Sequence, residues 1–202
     1  MSRPSARPWT PAESLAWERD RPERWEFDGV QPVPRGVVGG SRPHARLSAR
    51  LAVALSARVA PPCEAFGPDL KVIARRPEGE RPPAAPPEGR PAERALAGRG
   101  RVRYPDAMVE CGREDEGDVA APAVVFEVLS PSTERTDKGV KAEDYKAEPY
   151  ILVVVLLAQD RPEATVLRRS TDWRAEVARG FAAVVALPEI GTDLPLAAIC
   201  PR

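Results

Sequence analysis

In the run Ala123-Val-Val-Phe-Glu-Val-Leu one carboxylate, Glu127, interrupts an otherwise apolar strand pattern. Buried alone it would carry a large desolvation penalty. A cation must compensate it, unless the strand lies at an edge where the side chain reaches water or one of many arginines. Asp106 stands 21 residues earlier, after Pro105 and before Ala107-Met-Val. The short acidic connection from Gly112 to Asp118 favours a hairpin, which would place the two acids on neighbouring strands. Adjacent carboxylates repel each other, and a divalent ion bound between them removes the conflict. Taken alone, Tyr104-Pro-Asp is also an ordinary start to a strand. Lys141 is the third candidate. If Thr136 to Ala147 is helical, Asp137, Lys141 and Tyr145 share one face, and the lysine can project toward the carboxylates. The plainer alternative is an exposed ion pair between Asp137 and Lys141.

The elements that must position these groups are legible in outline. Thr10 and Pro11 cap a short helix, and Arg24-Trp-Glu-Phe-Asp-Gly reads as a strand entering a tight turn. Leu47, Leu51, Leu55 and Val59 recur every fourth position, which predicts an amphipathic helix over His44–Val59, stopped by Pro61-Pro62. Strands are expected around Asp69–Ala74, Arg103–Cys111, Ala123–Leu129 and Ile151–Ala158 in one central mixed sheet. Further strands follow at Ala164–Arg168, Trp173–Val177 and Phe181–Ala186. The fold class is therefore α/β, a mixed sheet flanked by helices in a single domain over residues 11–202, preceded by a frayed terminus over 1–10.

Residues 75–103 break the pattern with six prolines and four glycines, so a flexible insertion is expected there. It carries eight arginines against four glutamates, making Arg99, Arg101 and Arg103 candidates for phosphate contact; the competing reading is a solvated loop.

The whole chain of 202 residues has 30 basic and 30 acidic side chains, so any nucleic-acid surface must be local. Cys63, Cys111 and Cys200 are odd in number and widely spaced, which argues against a disulfide framework or a zinc site and fits a reducing cytoplasm. The longest apolar run, Tyr150–Ala158, is nine residues, too short for a helix to cross a bilayer, so no membrane partner is expected. A Ser-His-Asp hydrolase is disfavoured by a single histidine and the lack of a G-x-S-x-G elbow.

Three segments, Tyr104-Pro-Asp-Ala-Met-Val-Glu-Cys, Val125-Phe-Glu-Val-Leu-Ser-Pro-Ser-Thr and Asp137-Lys-Gly-Val-Lys-Ala-Glu-Asp-Tyr, resemble the signature of the Uma-type endonuclease family, a branch of the PD-(D/E)XK superfamily. Trp25-Glu-Phe-Asp-Gly, His44 with its leucine-spaced helix, Gln159-Asp-Arg-Pro and Leu187-Pro-Glu-Ile-Gly-Thr-Asp-Leu-Pro-Leu are similar to the same pattern. The resemblance implies a restriction-endonuclease-like fold and a metal-dependent endonuclease acting on nucleic acid, with DNA the expected substrate. Asp106 and Glu127 would hold Mg2+, with Mn2+ as a substitute, and Lys141 would orient the attacking water or neutralise charge. The superfamily's usual lysine would fall at position 129, where this chain has Leu129, so Lys141 stands as its migrated equivalent. Glu26 and His44 fall at the margin of the site by resemblance alone, with Asp137 and Tyr145 flanking the lysine. A homodimer is expected by analogy where both strands are cut. Tyr150-Ile-Leu-Val-Val-Val departs from the family pattern and motivates the alternative, a catalytically inactive nuclease fold used for binding.

Overall fold

The computed structural model describes residues 9–34, 41–75, 100–112, 117–129 and 137–200. Expectations for residues 1–8, for most of the 75–103 insertion including Arg99, for Thr136 and for the side chain of Asp137 lie outside the described residues and side chains.

Helix α1 (Pro11–Glu18) begins with a reciprocal cap. Thr10 Oγ1 accepts the Glu13 N–H at 3.2 Å, and the Glu13 carboxylate accepts the Thr10 N–H at 2.8 Å. Trp9 donates its N–H to the Val30 carbonyl at 3.1 Å and meets Trp17 edge to face, so the expected fraying does not extend to Trp9 and Thr10. Strands β1 (Trp25–Phe27) and β2 (Pro32–Pro34) form the hairpin expected at Asp28-Gly29. There the Asp28 carboxylate accepts the Val30 and Gln31 N–H groups, and Gly29 takes a φ of 95°. Helix α2 (Arg42–Ser56) buries Leu47, Leu51 and Leu55, as their spacing predicts.

The remaining strands are β3 (Cys63–Phe66), β4 (Lys71–Arg75), β5 (Gly100–Arg103), β6 (Ala107–Cys111), β7 (Val119–Ala120), β8 (Val124–Leu129), β9 (Val153–Ala158), β10 (Glu163–Arg168), β11 (Ala175–Arg179), β12 (Val184–Leu187) and β13 (Thr192–Pro195). They divide between two main sheets, a correction to the single central sheet expected. The larger runs β11-β10-β9-β8-β6-β3, the smaller β2-β1-β5-β4-β7, and β12 pairs with β13 apart from both. In the larger sheet only β8 and β9 are parallel neighbours.

Two features of the sequence explain the division. Pro105 has no N–H to offer a ladder, so the single strand expected over Arg103–Cys111 breaks at Tyr104-Pro-Asp. The chain passes there from the smaller sheet to the larger. The acidic connection after β6 is no tight hairpin either. Lys71 captures it, its ammonium 2.7 Å from the Asp118 carboxylate and its N–H on the Asp118 carbonyl, and β7 pairs parallel to β4. Even so, β6 and β8 lie antiparallel and adjacent, with Ala107 opposite Phe126. Gly100 is required where β5 begins its antiparallel pairing with β4, since a Cβ there would lie 2.9 Å from the Ala74 carbonyl oxygen. Arg101 and Arg103 accordingly belong to a strand, which corrects the C-terminal limit of the flexible insertion; Arg75 belongs to β4 at its other end.

Instead of one regular helix over Thr136–Ala147, Asp137–Lys141 forms a π turn that runs into α3 (Ala142–Lys146). Gly139, at the centre of that turn, weakens the preference for regular α-helix. The last two strands expected start later, at Ala175 and Val184: Asp172 and Trp173 turn the chain at positive φ before the first, and Gly180, at φ 91° and accepting the Ala183 N–H, turns it before the second. Helix α4 (Leu196–Ile199) closes the described chain. Cys63 and Cys111 face each other in the β3–β6 register and form a disulfide, contrary to expectation; they are 48 residues apart in sequence, and only the ladder brings them together.

One face of the larger sheet packs Val124, Phe126, Val128, Val153, Val155 and Leu157 against the leucines of α2. The other face carries Met108, Val125, Leu129, Val154 and Leu156, and meets Val72 of the smaller sheet and Tyr145 of α3. Strand alternation assigns Glu127 to this second face. Among the described residues no helix is long and apolar enough to cross a membrane.

Candidate active site at the junction of the sheets

Asp106 sits at the point where the chain changes sheet. Carrying the β6–β8 register back one residue puts it opposite Glu127. Its N–H donates to the Phe126 carbonyl at 3.0 Å, and its Oδ2 accepts the Val128 N–H at 2.7 Å. Both carboxylates are buried, Asp106 at 7% exposure and Glu127 at 3%. The sequence rule that flagged Glu127 therefore leads to an interior acid on a central strand, and the edge-strand alternative does not hold.

Lys141 and Tyr145 reach Glu127 from the helical segment. The Tyr145 hydroxyl donates to Glu127 Oε1 at 2.6 Å, and the Lys141 ammonium lies 3.9 Å from the same oxygen. Burial pushes the Tyr145 phenol well above its ordinary value, and the nearby Glu127 and Glu26 charges push it the same way. The phenol is thus a neutral, fixed donor. His44, on the first turn of α2, brings Nε2 to 3.3 Å from Asp106 Oδ2. That turn is held by Ser41, whose hydroxyl accepts the His44 N–H at 3.3 Å and donates to Gln159 at the end of β9 at 2.8 Å.

Glu26 enters from β1. Its Oε1 is 3.0 Å from the Lys141 ammonium, and its Oε2 accepts from Arg103 at 2.9 Å. Arg103 also donates through Nε to Asp144 at 2.8 Å, and Asp144 takes Arg101 on its other oxygen. Burial alone would depress the Arg103 guanidinium, but Glu26 and Asp144 outweigh it and raise the group further. Arg103 is 5% exposed and bound to two acids, so its expected phosphate contact is corrected to an interior ion pair. Arg101 is likewise engaged, with Asp144 and with the Asp28 carbonyl.

The structure thus gathers Asp106, Glu127, Lys141, Tyr145, Glu26 and His44 at one junction. Sequence reasoning missed Asp144, Gln159 and the inward role of Arg103. The signal for Arg103 was present: Gly100-Arg-Val-Arg-Tyr alternates, and the partners of its arginines had to be acids if that face was buried. Nothing local distinguished Asp144 from its exposed neighbour Glu143.

The donor set discriminates among cations. Among the described residues no three His, Cys, Asp or Glu side chains lie close enough to share one ion, so an all-protein cage of the zinc or calcium kind does not fit. Two hard carboxylates, Glu127 in β8 and Asp106 one residue before β6, are the donor type that suits Mg2+, which commonly takes one or two protein oxygens and leaves the rest of its shell to water and phosphate. A separate cleft of about 540 Å3, between α1 and β4, includes none of these side chains.

The chain matches the profile of the Uma2 family, described as "Putative restriction endonuclease", over residues 11–197. It is 26% identical over 167 residues to a Synechocystis sp. protein described as uncharacterised, across 81% of this chain and 75% of that one. A crystal structure from Anabaena variabilis ATCC 29413, described as a putative nuclease belonging to DUF820, aligns with a TM-score of 0.65 at 17% identity. The alignment covers 95% of this chain and 97% of that one, and at this identity the likeness is one of fold.

Proposed function

Because the chain belongs to the Uma2 family, we propose that it is a magnesium-dependent endonuclease that hydrolyses phosphodiester bonds of DNA at the junction of its two sheets. The observation that carries this reading is the placing of Asp106, one residue before β6, opposite Glu127 of β8, with an ammonium from a third element 3.9 Å from Glu127. Asp106 and Glu127 would hold Mg2+, or Mn2+ in its place. The bound cation supplies activation of water and neutralisation of charge on the scissile phosphate.

The chain's own groups do the rest. The Val128 N–H and the Tyr145 hydroxyl fix one oxygen of each carboxylate, so that neither reorients when charge arrives. Lys141 orients the nucleophilic water or offsets the developing negative charge. His44 Nε2 meets the same Asp106 oxygen at 3.3 Å and stabilises the carboxylate when that nitrogen carries a proton.

Nicking of supercoiled plasmid in Mg2+ tests the proposal. Wild type should nick, while Glu127→Ala should not. Lys141→Met should lose about 10²–10³-fold in rate and stay folded because the aliphatic stem is retained, with a lowered melting temperature because buried Glu26 and Glu127 lose a cation. Lys141→Arg should recover little, since a planar guanidinium does not reproduce a compact point charge. Retention of DNA without cleavage in Mg2+ or Mn2+ would favour the inactive binding module instead. Nicking by Lys141→Met at the wild-type rate would remove the lysine from the mechanism.

A further inference from the structure

Lys141 is seated closer to an acid outside the Asp106–Glu127 pair than to the pair itself. Its ammonium is 3.0 Å from Glu26 Oε1 and 3.9 Å from Glu127 Oε1. Glu26 is held firmly in turn. It is buried, its second oxygen is taken by Arg103 at 2.9 Å, and Arg103 is anchored by Asp144 at 2.8 Å. Charges therefore alternate along one continuous line, Arg101, Asp144, Arg103, Glu26, Lys141 and Glu127. The Glu127 oxygen nearest the ammonium already accepts the Tyr145 hydroxyl.

We propose that Glu26 is a positioning residue that holds the Lys141 ammonium off Glu127, so that Glu127 remains available to a divalent cation while the lysine stays beside the acids. The inference rests on the magnesium-site reading above and deepens it. An ammonium in direct contact with Glu127 would neutralise the carboxylate, and an arriving cation would have to displace it. Bringing one unit charge about 1 Å nearer at an effective dielectric of about 20 is worth roughly tenfold in affinity. Glu26 supplies a second anion that draws the lysine the other way, and the Arg103–Asp144 anchor keeps that anion from following.

Calorimetric titration of the full chain with MgCl2 at neutral pH and low salt tests this in wild type, E26Q, K141M and the E26Q/K141M double variant, with E127A as reference and thermal melts to establish folding. E26Q should weaken Mg2+ binding roughly tenfold. In the K141M background the same substitution should cost much less, because no ammonium is left to hold back and only the direct loss of the Glu26 charge remains. An equal loss in both backgrounds would make Glu26 merely a nearby negative charge and overturn the proposal, as would unchanged affinity in E26Q. Should E26Q fail to fold, Glu26→Asp keeps the charge but withdraws it from the lysine, and the loss should again depend on Lys141. Wild-type protein that binds no Mg2+, or binds it as well after E127A, would overturn the magnesium site itself. Wild-type binding that E127A abolishes, with no effect of Glu26 substitution, would overturn only the role of Glu26.

Discussion

The interior of the larger sheet and the seam between the two sheets are both buried, yet opposite forces hold them. Strands β8 and β9 offer Val124, Val125, Phe126, Val153, Val154 and Val155, stabilised by non-directional burial at about 25 cal/mol per Å2 of apolar area. Such packing is lost in proportion to the atoms removed. The seam instead buries Glu26, Arg103, Asp144 and Glu127, whose desolvation is offset only while every partner stays in place. Apolar packing degrades by degrees; a line of alternating charges fails when one member is deleted.

The largest effect should come from breaking that line at Asp144. Asp144→Ala leaves Arg101 and Arg103 facing each other without their shared acid, and should cost about 3–5 kcal/mol in urea unfolding. Leu157→Ala in β9, a deletion of apolar atoms, should cost about 2–5 kcal/mol according to how far the cavity collapses. A loss under about 1 kcal/mol for Asp144→Ala would mean that the seam behaves as a solvated surface, and the contrast would fail.

A smaller effect is expected at Tyr145, where the two regions meet. Tyr145→Phe should destabilise by about 1–3 kcal/mol, because Glu127 loses a buried donor while the ring keeps its packing. The raised phenol also gives a pH signature. Below the ordinary tyrosine value of 10.0 both folded and unfolded forms are neutral, and stability is unaffected by this group. Above it the unfolded chain ionises first, so stability should fall with rising pH. Ultraviolet titration should show two buried phenols, Tyr104 and Tyr145, ionising only with unfolding, and Tyr145→Phe should remove one of them; if the substitution instead removes a phenol that titrates near the ordinary value in the folded protein, Tyr145 lies in solvent.

The smallest effect lies on the outer strands. Hydrogen bonds from Arg161 and Arg179 hold the Glu163 carboxyl at about 2, below its ordinary 4.5. The stabilisation is present above 4.5 and lost as pH falls toward 2. The group is partly exposed, so screening keeps the contribution under about 1 kcal/mol. Arg179→Ala should move the Glu163 titration, followed by NMR, part of the way back to 4.5, with little change in melting. A large change in melting would show that outer ion pairs matter as much as the seam.

The amphipathic helix around Leu47, Leu51 and Leu55 was legible because a period near 3.6 reflects burial on one face, and α2 obeys it. Glu127 was legible for a related reason: a charge inside an apolar run needs a partner wherever the strand ends up. The alternation of Arg101 and Arg103 carried equal information but was overshadowed by the neighbouring proline-rich composition. The division into two sheets was less visible. Pro105 announces a break, but a break does not say to which sheet each half belongs.

By itself, then, the sequence determined the existence of most elements, the apolar faces and the pair of acids, since these follow from periodicity and the cost of burying charge. Tertiary structure alone decided that Asp106 stands opposite Glu127 and that Cys63 meets Cys111, because both depend on strand register across distant segments. It also decided that Asp144 is buried while Glu143 is exposed, and that Lys141 rests on Glu26. A charge acquires its partner only when separate elements pack, and no local pattern encodes which opposite charge will be waiting there.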